Sequence, residues 1–108
     1  MHKFVIERNV PGAGAMSDSE WLKAAENSNR VATEMNGDVQ WLESFVTNDK
    51  IFCVYIARDE DSVREHARRA GLPADKVSMV TRVIDPTTAD ATATPAARRP
   101  ASETSLRQ

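Results

Sequence analysis

Apolar and polar positions change period several times along the chain, and each change marks an element. "KFVIERNV" is rich in β-branched and aromatic residues and ends at Pro11, which predicts a first strand over residues 3–9 with "PGAGAM" as a flexible connection. A helical period follows in "SDSEWLKAAENSNRVATEMNG". Trp21, Ala25, Ser28, Ala32 and Met35 recur on one face, Ser17 stands three residues before Glu20 in capping-box spacing, and Gly37 suits a left-handed terminus. This predicts a helix over 17–36. "DVQWLESFVTNDKIFCVYIA" holds two β-rich runs separated by "TNDK", whose Asn48-Asp49 pair fits a tight hairpin, so strands are expected over 39–47 and 50–57.

"RDEDSVREHARRAGLP" then places Asp59, Glu60 and Asp61 in a first turn and Arg68 and Arg69 in a last turn, before Gly71 and Pro73. That order of charge complements the helix dipole at both ends. "KVSMVTRVID" reads as a fourth strand over 76–85. Strand, helix, strand, strand, helix, strand is the order of a ferredoxin-like α+β sandwich: a four-stranded antiparallel sheet with two helices on one face, of the dimeric α+β-barrel type. From Pro86 the chain becomes "PTTADATATPAARRPASETSLRQ", too poor in large apolar side chains to offset its ordering entropy. The expected organisation is a ferredoxin-like domain over 1–85 and a disordered tail over 86–108.

A sheet covered on one side leaves a second face that must be polar or buried by something else. Alternation assigns Phe4 and Ile6 to the helix side of the first strand, with Val5 and Glu7 outward. In the second strand Leu42, Ser44 and Val46 are expected under the helices, with Trp41, Glu43 and Phe45 outward. In the third, Phe52, Val54 and Ile56 form the more uniformly apolar set and are expected inward, leaving Ile51, Cys53, Tyr55 and Ala57 on the open face. An open face carrying Glu7, Trp41, Glu43, Phe45, Cys53 and Tyr55 is too aromatic for solvent, so a homodimer packed sheet against sheet is expected. Carboxylates enclosed there need a partner, either a cation or an arginine such as Arg8 or Arg82.

At 108 residues the chain is one domain, and 41% hydrophobic with 28% charged residues is an ordinary globular balance. A net charge of −2 gives no electrostatic reason to expect nucleic acid. No segment reads as a signal peptide or membrane span, and the single cysteine has no intramolecular partner, so a soluble, reducing, cytoplasmic setting is expected.

Motif chemistry is sparse. There is no CxxC or HxxxH spacing, "GAG" at 12–14 lacks the GxGxxG pattern, and Asp49 is most simply a turn residue. No nucleophile stands beside a base in sequence, so no catalytic residue is assigned. Cys53 is read either as small apolar filler or as a thiolate ligand suited, with imidazole or carboxylate, to nickel, zinc or copper. His66 shares the buried stripe of the second helix with Val63, Ala67 and Ala70, where a structural histidine is the commoner role. His2, beside the terminal amine, is a feature of low specificity.

"WLESFVTNDKIFCVYIARDEDSVREHARRAGLP", with "FVIER" before it and "RVIDP" after it, resembles a family of small bacterial proteins of formerly unknown function that has a nickel-binding member. The similar positions include Trp41, Ser44, Val46, Asp49, Lys50, Cys53, Tyr55, His66, Gly71 and Pro73, and they span nearly all of residues 3–86. Phe45 stands where the family usually has Tyr, which removes one oxygen donor or hydrogen bond. The resemblance implies a ferredoxin-like homodimer that binds nickel, with no established catalytic activity. Glu7, Glu43, Cys53 and His66 are the expected metal ligands, with nickel as the ion or another divalent transition metal in its place. The alternatives are a dimeric α+β-barrel enzyme using Glu7 or Glu43 as general acid or base on a small organic substrate, and a dimeric interaction module.

Overall fold

The computed structural model of the chain describes residues 1–90. Strand β1 (His2–Asn9) leads through a short 3-10 turn (Ala13–Ala15) to helix α1 (Asp18–Glu34). Strands β2 (Val39–Val46) and β3 (Lys50–Ala57) form the hairpin, followed by helix α2 (Glu60–Ala70) and strand β4 (Lys76–Met79). The sheet order is β2-β3-β1-β4 and every neighbouring pair is antiparallel. Each helix thus crosses over between two strands separated by a third, as the βαββαβ reading requires.

Local chemistry sets the helix ends. Ser17 accepts from the Glu20 amide while the Glu20 carboxylate accepts from the Ser17 amide, a complete capping box. Asp59 caps α2 by accepting from the Ser62 amide. At its other end Gly71 has φ 70°, Leu72 N–H donates to Ala67 O and Gly71 N–H donates to Arg68 O. These are the paired bonds of a Schellman motif, which needs a residue at ease with positive φ. The β1–α1 connection is pinned to the hairpin: Val10 N–H donates to Asp49 O, Gly12 N–H to Asp49 Oδ1 and Gly14 N–H to Asn48 O. A Cβ at Gly14 would stand 2.9 Å from Asn48 Cα, so the close approach excludes a side chain there.

The core lies between the sheet and both helices, built from Phe4, Ile6, Val31, Met35, Val39, Cys53, Tyr55, Ala57 and Val63. This inverts the expected facing of β3. Cys53, Tyr55 and Ala57 point to the helices, whereas Phe52, Val54 and Ile56 lie half-buried on the open face. The reason is register. Phe4 pairs with Tyr55 and Ile6 with Cys53, and direct cross-strand partners share a face. Once Phe4 and Ile6 turn inward, Cys53 and Tyr55 follow, however apolar the alternative set is.

In β2 the pairing with β3 shifts between Trp41 and Glu43. The bulge puts Trp41, expected outward, on the helix side opposite Tyr55, and leaves Leu42, expected inward, exposed. Ser44 stays on the helix side as expected, and Trp41 Nε1–H donates to Ser44 Oγ at 2.9 Å across the irregularity. Glu43 and Phe45 share the open face with Val54 and Phe52, their partners on β3.

β4 is shorter than the expected 76–85 because β1 begins at His2: Met79 already pairs with Phe4, and Val80 N–H donates to Lys3 O. Few β1 residues remain to extend the ladder. Asp85 caps a short 3-10 turn at Pro86–Ala89, at the start of the expected tail, and residues 91–108 lie outside the described residues.

Two substitutions report on these local devices. Ser17→Ala removes the capping acceptor and is expected to cost about 1 kcal/mol. Gly71→Ala forces a Cβ into the left-handed region at a cost of about 1 kcal/mol. Urea denaturation should show both midpoints lowered with unchanged slope.

Candidate functional site

Arg8 continues the alternation of Phe4 and Ile6 and therefore enters the helix-side layer from the end of β1, where it is 1% exposed. Its Nε–H donates to Cys53 Sγ at 3.4 Å and an Nη2–H to the Tyr55 hydroxyl at 3.4 Å. An Nη1–H donates to Pro73 O, in the segment after α2. The guanidinium carbon stands 5.9 Å from the centre of the Tyr55 ring. One cationic side chain thus ties β1, β3 and the α2–β4 connection together, and all its partners are formally neutral groups.

On the far side of Tyr55 lies His66, also 1% exposed, with ring centres 5.2 Å apart and a 60° tilt. His66 Nε2 is 3.1 Å from Ser28 O on α1. A carbonyl oxygen can only accept, so Nε2 carries the proton and Nδ1 presents a lone pair, which is buried without a partner among the described residues. Burial lowers the His66 pKa below its ordinary value, the Arg8 charge adds to this, and the bond to Ser28 opposes it. Burial raises the Tyr55 pKa, against the opposing effects of the Ser28 side chain and Arg8. Both rings are neutral at physiological pH, so Arg8 carries the positive charge of this layer.

Beside Arg8 a cavity of about 250 Å³ opens between α1 and the sheet. Trp21, Ala24 and Ala25 of α1 form one wall, Trp41, Cys53 and Tyr55 the other, and Leu72 closes an end. A second, wider depression of about 450 Å³ lies around the ends of the helices and is lined by charged groups, among them Glu34, Asp38, Arg58, Asp61, Glu65 and Arg69. There Arg58 meets Asp38 and Asp59, while Arg68 and Arg69 hold the Glu65 carboxyl down at about 2.

The four expected ligands fall on opposite sides of the sheet. Cys53 and His66 are in the helix-side layer. Glu7 is on the open face, where Lys50 Nζ donates to it at 3.2 Å. Glu43 is on the same face but two strands away, with the β3 residues Phe52 and Val54 between the two. Among the described residues no three His, Cys, Asp or Glu side chains gather where they could hold a metal ion. Cys53 Sγ already accepts from Arg8, and a cation bound there would face a guanidinium. The four residues of one protomer therefore do not fit a single ion. Arg8, considered from sequence only as a counter-ion, is the group that organises the layer. Its signal was its parity with Phe4 and Ile6.

The topology and the one-sided core define a small ferredoxin-like α+β protein. The chain belongs to the family described as "Nickel responsive protein SCO4226-like", whose profile matches residues 4–80. Among solved structures it is similar to the crystal structure of SCO4226 from Streptomyces coelicolor A3(2), at TM-score 0.63 and 18% identity, covering 76% of this chain and 99% of that one. At this identity the likeness concerns the fold. No curated protein matches the sequence. Among the described residues no helix is long and apolar enough to cross a membrane.

The lowered His66 pKa has a definite sign. The unfolded chain binds the proton more readily, so stability contributed by neutral His66 is full above the ordinary histidine pKa and is lost as pH falls through it toward the folded value. Melting temperature should drop between about pH 7.5 and 5.5, and His66→Gln should flatten that slope while lowering stability at the upper end.

Proposed function

We propose that the chain is a homodimeric nickel-binding protein without a catalytic role, in which the metal is held by Glu7 and Glu43 from the open faces of two protomers. The observation that carries this reading is the composition of that face. Phe45 is 55% exposed and Glu43 on the same strand is exposed as well, while Val5, Phe52 and Val54 lie half-buried on the same face together with a half-buried Glu7. Apolar surface of this kind favours burial against another molecule, and a two-fold apposition would bring two copies of each carboxylate together. Lys50 offsets Glu7, whereas Glu43 is in no ion pair among the described residues, so the two Glu43 carboxylates enclosed by a dimer call for a further cation. The nickel description of the family supports that ion. In this reading Cys53 and His66 support the site through the core and do not ligate the metal.

The enzyme alternative is less well supported. Glu7 is ion-paired with Lys50, and Cys53 and His66 lie across the sheet from both carboxylates, so neither that thiol nor that imidazole stands beside them to share in a reaction.

Calorimetric titration with nickel on metal-free protein should show saturable binding that weakens at acid pH as the carboxylates protonate. Glu7→Gln with Glu43→Gln should reduce affinity at least about tenfold, since losing groups that only orient metal ligands already costs that much. Cys53→Ser should leave it within about twofold on the same scale. Absence of binding by the unmodified protein would refute the metal reading. In sedimentation, Phe52→Glu should convert a dimer to a monomer; a monomeric unmodified protein would refute the assembly.

A further inference from the structure

We propose that the cavity beside Arg8 is a binding site for a small monocarboxylate with a compact apolar body, its carboxylate on the Arg8 guanidinium and its body between Trp21 and Trp41. The site lies on the opposite side of the sheet from Glu7 and Glu43, and the proposal does not depend on nickel binding.

The first support is the state of Arg8. Several exposed arginines among the described residues meet carboxylates although pairing there contributes little: Arg30 with Glu34, Arg64 with Glu60, and Arg68 and Arg69 with Glu65. Arg8, with 1% exposure, is in no ion pair among the described residues, and burying a charge without a counter-charge is costly. A guanidinium has five N–H donors. Three are used, toward Cys53, Pro73 and Tyr55, which leaves one on each terminal nitrogen without an acceptor among the described residues. Arginine is the side chain best matched to a carboxylate, and one guanidinium neutralises one negative charge.

The second support is the cavity itself. Arg8 is part of its wall, and apart from Arg8 that wall is formed by neutral groups, with the tryptophans Trp21 and Trp41 and the methyl of Ala25 prominent. Pockets for drug-sized ligands span about 300–1,000 Å³, so a cavity of about 250 Å³ selects a shorter molecule. A doubly charged anion would leave charge uncompensated in such surroundings, whereas an apolar acid places its charge on Arg8 and its body on the indole rings.

The chain has two tryptophans, and both line this cavity, so intrinsic fluorescence reads it directly. The full-length protein is titrated with benzoate, phenylacetate and 3-phenylpropionate, with the corresponding amides, and with acetate and inorganic phosphate. At least one aromatic acid should change the emission saturably with Kd below about 1 mM, and its amide should bind at least about tenfold more weakly. Ala25→Leu, which enlarges a side chain on the α1 wall of the cavity and leaves Arg8 itself in place, should abolish the response while far-ultraviolet circular dichroism stays unchanged. Arg8→Lys should weaken it by at least about tenfold through loss of the two-pronged geometry. No response to any acid, equal response to acid and amide, equal response to acetate or phosphate, or undiminished binding by a folded Ala25→Leu variant would each overturn the proposal. Repeating the titration with nickel present separates the two sites, because acid binding should be the same with or without metal.

Discussion

The burial of one positive charge organises the helix-side layer. Arg8 enters the core because β1 alternates strictly, and there it bonds Cys53 and Tyr55 on β3 and the Pro73 carbonyl beyond α2. A guanidinium cannot shed its proton to ease burial, so the surroundings must supply the solvation that water would give. The Tyr55 ring, the Cys53 sulfur and a backbone carbonyl do this without adding a negative charge. Tyr55 also packs against His66, whose Nε2–H bonds Ser28 on α1. A chain of contacts thus runs from β1 through β3 to both helices.

The sheet separates two chemistries. Toward the helices it presents a charged donor, a thiol, a phenol and the Trp41 indole, which faces Trp21 of α1 across the cavity beside Arg8. Away from them it presents Phe45, Phe52 and Val54 with two carboxylates. Alternation at a two-residue period lets neighbouring residues serve opposite faces: Arg8 belongs to one and Glu7 to the other. A cation would be repelled on the arginine face, and the two carboxylates lie on the other face.

The order of the elements and the ends of the helices were readable from local chemistry, whereas the end of β4 was not. Ser17 with Glu20 and Gly71 after α2 are short-range devices that act in the structure as their spacing implies, while Asp59, read as part of the first turn, stands one residue earlier as the cap of α2. The Asn48-Asp49 turn was legible too, although its further duty of receiving the amides of Val10 and Gly12 depends on a segment nearly forty residues earlier in the chain. The facing of β3 was not legible. Phe52, Val54 and Ile56 are the more apolar set, and hydrophobicity alone assigns them to the core.

By itself the sequence determined a βαββαβ chain, the inward side of β1, a buried His66 and the presence of Glu7, Glu43 and Phe45 on an outward face. Tertiary structure alone decided which side of β3 is inside, because register with Phe4 and Ile6 outweighs the small difference in apolarity between its two faces. It also decided, through the bulge after Trp41, that an indole joins Tyr55 under the helices. Cys53 and His66 consequently share a layer with Arg8, and the sheet divides them from the carboxylates with which their residue types had grouped them. Residue type follows from the local sequence, but the grouping of side chains follows from strand pairing between distant segments.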